Sequence, residues 1–237
     1  MSTFESRKRS RELNEKLIKL ALISAATISI LTTFGILFSI LFEAIEFFKL
    51  RSFWYFITGA TWSPGVIGSQ FGALPIFAGT FVITIIALGV AIPVGLGSAI
   101  YMSEYASANI RDYLKPLLEI LAGIPTVVYG FFAAITVAPL VVQIAEFFGL
   151  EATFNSALAS GVVMGIMIIP VISSLSDDVI RAVPDSQRKA AFALGMTHGE
   201  TIKNIVLPSA MPGIISASLL GLSKALGETM IVVMAAG

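Results

Sequence analysis

Long apolar stretches alternate with short polar segments along the whole chain. Five such stretches can be distinguished, at roughly residues 20–42, 73–102, 117–142, 155–175 and 213–237. An α-helix needs about 20 apolar residues to cross the hydrocarbon core of a bilayer, and each stretch provides that length. Transmembrane barrels are built from short strands of alternating polarity, whereas these stretches are continuous. The pattern therefore predicts an all-α, polytopic integral membrane protein with five visible spans.

Composition agrees with a membrane protein and excludes several kinds of site. The chain is 56% hydrophobic and 13% charged, whereas about a quarter of a soluble domain is charged. A net charge of zero gives no reason to expect a nucleic-acid partner. There is no cysteine and a single histidine, so we expect no metal site. Asp177 and Asp178 are interpreted as solvated carboxylates at the membrane boundary.

Lysine and arginine are distributed unequally between alternate polar segments. The basic tail, residues 1–19, and segments 103–116 and 176–212 carry twelve of them, against two in the remaining polar segments. Cytoplasmic loops are rich in these residues, so the tail and loop 176–212 are predicted to be cytoplasmic. The apolar run after the tail is too long for a signal peptide, which indicates a retained first span. We therefore expect a cytoplasmic tail over residues 1–19 and a transmembrane domain over residues 20–237.

An aromatic cluster lies on the opposite, external side. It comprises Phe53-Trp54-Tyr55-Phe56 and Trp62. Clusters of this kind prefer the headgroup layer, so an interfacial segment is favoured over a ligand-stacking site.

Loop 176–212 contains the signals of two short helices. Asp185 is predicted to cap the first helix, and Gly195 to end it. Thr197 and Glu200 have the spacing of a capping box, which starts a second helix of about residues 198–206, ending before Pro208. The loop is thus predicted to form a two-helix knob.

Two charged residues lie within the fifth apolar stretch. Lys224 and Glu228 are four positions apart, which places both on one face of a helix. A charge at such a depth costs about 2.5–3.5 kcal/mol and usually faces a partner or a cavity. The residues alone leave two alternatives open, an ion pair that fixes helix packing and a site on an anion pathway. Thr126 follows a predicted kink at Gly123-Ile124-Pro125 and is a further pathway candidate.

The knob resembles the "EAA" loop of ATP-binding-cassette importer permeases. The family pattern is E-A-A-x3-G-x9-I-x-L-P, and the matching residues are Lys189, Ala190, Ala191, Gly195, Ile205, Leu207 and Pro208, with Lys189 in place of Glu. The resemblance implies a MetI-like helical bundle whose knob docks into a separate ATPase subunit; the alternative is a structural hairpin without a partner. The chain has no G-x-x-x-x-G-K-[ST] phosphate loop, and Gly95-Leu96-Gly97 is interpreted as helix packing. We therefore expect no enzyme activity and no cofactor in this chain, with ATP and Mg²⁺ bound by the partner.

A second resemblance concerns the transported substrate. Leu222-Ser223-Lys224-Ala225-Leu226-Gly227-Glu228-Thr229-Met230 resembles the R-A-x-G-E-T-M segment of phosphate-specific transport permeases, and its ending is similar to the PstC type. Residues 99–105 and 121–130 resemble the same family. This resemblance implies that Lys224 and Glu228 contribute to phosphate passage. It also implies a PstA-like second permease, a cytoplasmic ATPase dimer, an external phosphate-binding protein and a location in the inner (plasma) membrane.

Several alternatives remain at this point. An importer of another oxyanion, such as sulfate or molybdate, is one. A membrane scaffold that docks a nucleotide-binding partner without transport is another. The family resemblance implies a sixth span, and because residues 233–237 are still apolar we expect this chain to be truncated.

Overall fold

The computed structural model describes residues 2–65 and 69–236 of the chain. The chain divides into two compact units, Met1–Pro75 and Ile76–Gly237. Among the described residues, five helical stretches are long and apolar enough to cross a membrane: Asn14–Leu50, Leu74–Tyr105, Thr126–Phe147, Ala157–Arg181 and His198–Leu226. The predicted number of spans is confirmed, although the bounds of several differ from those expected.

The first unit is built around one long helix. Its elements are α1 (Ser2–Leu50), α2 (Phe53–Thr58) and the antiparallel strands β1 (Trp62–Ser63) and β2 (Gln70–Phe71). None of the most apolar window of α1 is buried. A helix that is apolar all round and not covered by protein is typical of a membrane span.

The aromatic side chains of this unit pack on one another. The ring centroids of Phe47 and Phe48 lie 5.6 and 5.5 Å from that of Phe56, and those of Phe47 and Phe71 are 5.7 Å apart. These are edge-to-face contacts, an arrangement that the ring quadrupoles favour. The rings of this segment therefore pack on one another, and its interfacial position stays a prediction.

The second unit contains the remaining helices, apart from the first two residues of α3. They are α3 (Leu74–Ile100), α4 (Ala108–Gly123), α5 (Thr126–Phe132), α6 (Ala138–Phe147), α7 (Ala157–Arg181), α8 (Asp185–Ala193), α9 (His198–Thr201), α10 (Leu207–Leu226) and α11 (Met230–Ala235). Within residues 69–236, three π-helical turns extend or join them, at Tyr101–Tyr105, Ala133–Val137 and Ile202–Val206.

Helix α7 lies at the centre of the second unit. Its most apolar window is 61% buried, against at most 28% for the other candidate spans. A Cβ atom added at Gly165 would lie 2.8 Å from the carbonyl oxygen of Ala87, and one at Gly95 would lie 3.1 Å from the Cβ of Ile172. Small residues at such contacts let membrane helices approach closely. The interpretation of Gly95 as a packing residue is confirmed.

The third span begins later than expected. The segment Gly123-Ile124-Pro125, predicted as a kink inside this span, separates two helices. Ile124 is extended, with φ −65° and ψ 129°, because the residue before a proline is disfavoured in the α region. The Tyr129 hydroxyl donates to the carbonyl oxygen of Leu121 at 2.8 Å, which gives a carbonyl at the end of α4 a partner. The predicted single span over 117–142 is therefore wrong.

The polar loop predicted over residues 176–212 is shorter than expected. A continuous helix runs over His198–Leu226, so the predicted end before Pro208 is wrong. The amide of Leu207 donates to the carbonyl of Ile202, five residues earlier, which makes this turn π-helical. Proline lacks an amide hydrogen and clashes with the carbonyl four residues before it, and a wide turn relieves that clash.

Candidate functional site

The predicted two-helix knob, residues 185–208, has a glycine stop after α8. The amide of Gly195 donates to the carbonyl of Phe192 at 3.0 Å, and that of Met196 to the carbonyl of Ala191 at 3.2 Å. This is the Schellman arrangement, which needs a residue in the left-handed conformation. Gly195 has φ +82°, which glycine adopts without a steric penalty. The predicted stop is confirmed.

The two predicted caps of the knob have different outcomes. The Thr197 hydroxyl accepts from the Glu200 amide at 3.3 Å, and the Glu200 carboxylate accepts from the Thr197 amide at 2.8 Å, so the capping box is confirmed. Asp185 is not an N-cap, because the extended backbone of Pro184 already forms the boundary and Asp185 is the first helical residue. Its carboxylate still complements the positive end of α8.

The surface of the knob carries a groove of about 390 Å³. It is lined by Gln187, Ala190, Ala191, Leu194, Met196, Asn204, Ile205, Pro208 and Ser209. Four of the seven predicted coupling residues, Ala190, Ala191, Ile205 and Pro208, thus meet at one surface. A largely apolar concavity of this kind can accept an anchoring side chain of a docked protein.

The other three predicted coupling residues lie outside the groove. Lys189 is exposed on α8. Gly195 shapes the chain between the two helices, and Leu207 packs against a buried cluster that contains Val206 and Ile214. Gly195 and Leu207 therefore contribute to the shape and seating of the knob, whereas Lys189 presents an exposed charge outside the groove.

Ion pairs that the sequence did not predict join the polar ends of two helices beside the knob. Arg111 of α4 contacts Asp177 of α7 at 2.7 Å, and the Asp177 side chain is 1% exposed. The interpretation of Asp177 as solvated is wrong, because a carboxylate this deeply buried needs an ionic partner. Asp178 is 55% exposed and contacts Lys115 at 2.9 Å. The members of each pair are more than 60 positions apart in sequence, so no local spacing indicates them.

Lys224 and Glu228 do not share a helix. Residues 227–229 are not helical and separate α10 from α11, so the prediction of a common helix face is wrong. The interruption starts with glycine, which has a low helix propensity. The Glu228 Oε1 atom accepts from the amides of Met230 at 3.0 Å and Ile231 at 3.4 Å. Glu228 thereby supplies acceptors to the free amides at the start of α11.

Each of these two charges complements the end of a different helix. Lys224 lies in the last turn of α10, near its negative end, and Glu228 lies at the positive start of α11. Among the described residues, Lys224 has no carboxylate within ion-pair distance. The hypothesis of an ion pair between Lys224 and Glu228 therefore finds no support in the described part of the chain.

A cavity of about 240 Å³ lies beside the interruption. It is lined by Thr80, Ile83, Met164, Ala225, Leu226, Glu228, Thr229, Val232 and Val233. Of the three predicted pathway residues the cavity includes Glu228, but not Lys224 or Thr126. Thr126 begins α5, which packs closely on α11, since a Cβ atom at Gly130 would lie 2.8 Å from the Sδ atom of Met234. The pathway roles of all three residues stay predictions.

Comparisons with known proteins identify the family of the chain. Residues 91–237 match the family described as "Binding-protein-dependent transport system inner membrane component". The chain is 33% identical over 234 residues to the probable ABC transporter permease protein YqgH of Bacillus subtilis (strain 168), covering 98% of this chain and 74% of that protein. It is 33% identical over 224 residues to the phosphate transport system permease protein PstC 1 of Mycobacterium tuberculosis (strain ATCC 25618 / H37Rv), covering 82% of this chain and 66% of that protein.

A solved structure of an amino acid ABC transporter is also similar, with 22% identity, a TM-score of 0.48, and coverage of 68% of this chain and 72% of that chain. The names of the relatives confirm the resemblance to ABC importer permeases of the PstC type. Together with the five candidate spans, these names confirm the expectation of a multi-pass membrane permease. This chain belongs to the family of binding-protein-dependent transport system inner membrane components.

Proposed function

We propose that this chain is a permease subunit of an ATP-driven phosphate importer. The observation that carries the substrate is the match to a phosphate transport permease over 82% of the chain. The observation that supports coupling to an ATPase is the groove of the knob, which is lined by four of the seven predicted coupling residues. The chain forms half of the transmembrane pathway, and a PstA-like permease forms the other half.

Lys224 supplies the positive charge that an anion needs along this half of the pathway. Its ammonium group has no carboxylate partner among the described residues, so its charge is free to attract an oxyanion. The helix interruption at 227–229 begins three residues after Lys224, and interrupted helices at membrane depth often border transport sites. Thr126 contributes a hydroxyl from α5, and Glu228 holds the start of α11 in position.

The knob seats on a cytoplasmic ATPase dimer that binds ATP and Mg²⁺, and no cofactor is held by this chain. Closure of the ATPases moves α8 and the π-helical turn Ile202–Val206 together, because both line one groove with the start of α10. That movement switches the pathway between its two sides. An external phosphate-binding protein delivers the substrate.

The chain lies in the inner (plasma) membrane with its N-terminus in the cytoplasm. The distribution of lysine and arginine supports this orientation. The contact between Arg111 and Asp177 supports it further, because it brings segment 103–116 to the same end of the second unit as the knob. Both segments belong to the positively charged set that the sequence places in the cytoplasm.

Uptake of radiolabelled phosphate by proteoliposomes that contain the complete complex tests the proposal. We expect ATP-dependent uptake that falls by roughly tenfold or more in Lys224→Ala, since a hydrogen bond to a charged group contributes about 1.5–3 kcal/mol. Lys224→Arg is expected to keep most of the uptake, because arginine retains the charge. Lys49→Ala, at an exposed lysine at the end of α1, is the control and should behave as wild type.

The same assay separates the alternatives. Uptake of sulfate or molybdate in place of phosphate would assign another oxyanion. An ATPase that co-purifies without ATP-dependent uptake of any of these anions would favour the scaffold. Full phosphate uptake by Lys224→Ala would show that Lys224 is not required in the pathway.

A further inference from the structure

Arg188 is the one charged side chain of α8 that forms a largely buried ion pair within the described part of the chain. Its guanidinium contacts the carboxylate of Glu104, and the two side chains are 17% and 4% exposed. The same guanidinium donates to the carbonyl oxygen of Ile180 at 2.9 Å. Glu104 belongs to the π-helical turn that extends α3, and Ile180 lies in the last turn of α7. One side chain of the knob therefore holds the ends of two membrane-spanning helices.

The start of α9 contacts the same π-helical turn. The Nε2 atom of His198 lies 3.2 Å from the carbonyl oxygen of Glu104. The imidazole meets the Tyr105 ring edge-on at 5.2 Å and stacks on the Phe192 ring at 6.2 Å. Both helices of the knob are thus attached to the turn at the end of α3.

The receiving segment is suited to a change of conformation. Residues 101–105 form a π-helical turn, closed by a bond of 2.8 Å from the Ala106 amide to the Tyr101 carbonyl. Such turns are less favourable than the α-helix and occur frequently at functional sites. A displacement of Glu104 can therefore change the conformation of this turn. That change then alters the position of α3.

The other polar contacts of α8 are weaker candidates for this role. Asp185 is 84% exposed and lies 3.8 Å from Arg188 within the same helix. A hydrogen bond of 3.1 Å joins the Ser209 hydroxyl to Gln187, and both residues are exposed. Exposed contacts are weak and easily replaced by water, whereas a buried charged pair resists separation.

We propose that Arg188 is the positioning residue that transmits movement of the knob to the ends of α3 and α7. The inference rests on the proposed function, because it assigns a route for the coupling that the importer requires. Groove residues hold the ATPase, and the link from Arg188 to Glu104 carries the displacement to the pathway. Loss of this link leaves an assembled complex that hydrolyses ATP without moving phosphate efficiently.

The test uses the complete complex in proteoliposomes with the external binding protein. The measured quantity is phosphate transported per ATP hydrolysed, together with the amount of ATPase that co-purifies. The variants are Arg188→Gln, Glu104→Gln and the exchanged pair Arg188→Glu with Glu104→Arg. Lys115→Gln is the matched control, since it removes an exposed ion pair at the same end of the bundle that does not involve the knob.

We expect both single variants to retain the ATPase and to lose transport per ATP by roughly 2- to 30-fold, the range in which mutations along a coupling route act. The exchanged pair should recover part of the loss, because it restores the ionic contact but not the bond to Ile180. Lys115→Gln should match wild type. A wild-type ratio in Arg188→Gln and Glu104→Gln would overturn the inference.

Two further outcomes have a defined meaning. If the single variants fail to assemble and the exchanged pair does not restore assembly, the pair serves folding, and the inference is also overturned. If the wild-type chain neither binds an ATPase nor supports phosphate uptake, the proposed function fails instead.

Discussion

At the scale of single residues, the structure changes the meaning of the two charges in the fifth span. Glu228 accepts from the amides of Met230 and Ile231, and its role follows from backbone geometry rather than from pairing with a lysine. The positive charge of Lys224 is therefore not neutralised by Glu228. The sequence spacing of four positions suggested a shared helix face, and the spacing misleads because the helix is interrupted between the two residues.

The role of Glu228 as an acceptor makes a prediction about its charge. Glu228→Gln keeps an oxygen that can accept from the same amides, whereas Glu228→Ala removes it. Loss of such an acceptor at a helix start costs about 0.5–2 kcal/mol. We therefore expect Glu228→Ala to lower both the thermal stability of the purified complex and phosphate uptake, while Glu228→Gln remains near wild type. An uptake defect in Glu228→Gln as deep as that of Glu228→Ala would show that the negative charge itself is required.

At the scale of elements, two of the three π-helical turns that the structure describes end two residues before a proline. Val137 is followed by Ala138-Pro139, and Val206 by Leu207-Pro208. In each case the residue before the proline donates to a carbonyl five positions back, Ala138 to Ala133 and Leu207 to Ile202. The wide turn accommodates the proline, and the helix continues past it. A proline inside a long apolar stretch therefore does not by itself end a membrane helix.

The shape of the knob depends on the conformation of Gly195. Its φ of +82° is strained for any residue with a Cβ, by roughly 1–2 kcal/mol, so we expect Gly195→Ala to lower the unfolding midpoint of the chain. Gly199 is the matched control, because its φ is not positive and a Cβ there meets no atom within 4 Å. Gly199→Ala should be neutral or slightly stabilising, since alanine is the better helix former. Equal midpoints for the two variants would contradict a strained turn at Gly195.

At the scale of the whole molecule, local signals predicted the elements better than the contacts between them. The glycine stop, the capping box and the number of spans follow from short-range rules, and these predictions are confirmed. The ion pairs of Arg111 with Asp177 and of Arg188 with Glu104 join distant positions, so only the folded chain brings them together. The prediction of where the third span starts was wrong for a related reason. Apolar content alone does not distinguish α4, which precedes the span, from the span itself.

The central claim is that the groove of the knob couples this permease to a separate ATPase. Ala190 is exposed and lines the groove, whereas Ala193 is exposed on the same helix and does not line it. The direct measurement is ATPase co-purification and ATP-dependent phosphate uptake with Ala190→Trp, compared with Ala193→Trp and wild type. We expect Ala190→Trp to lose both ATPase binding and phosphate uptake, and Ala193→Trp to retain both. The reason is that a large side chain fills the groove only in the first variant. Undiminished ATPase binding and uptake in Ala190→Trp would contradict the account.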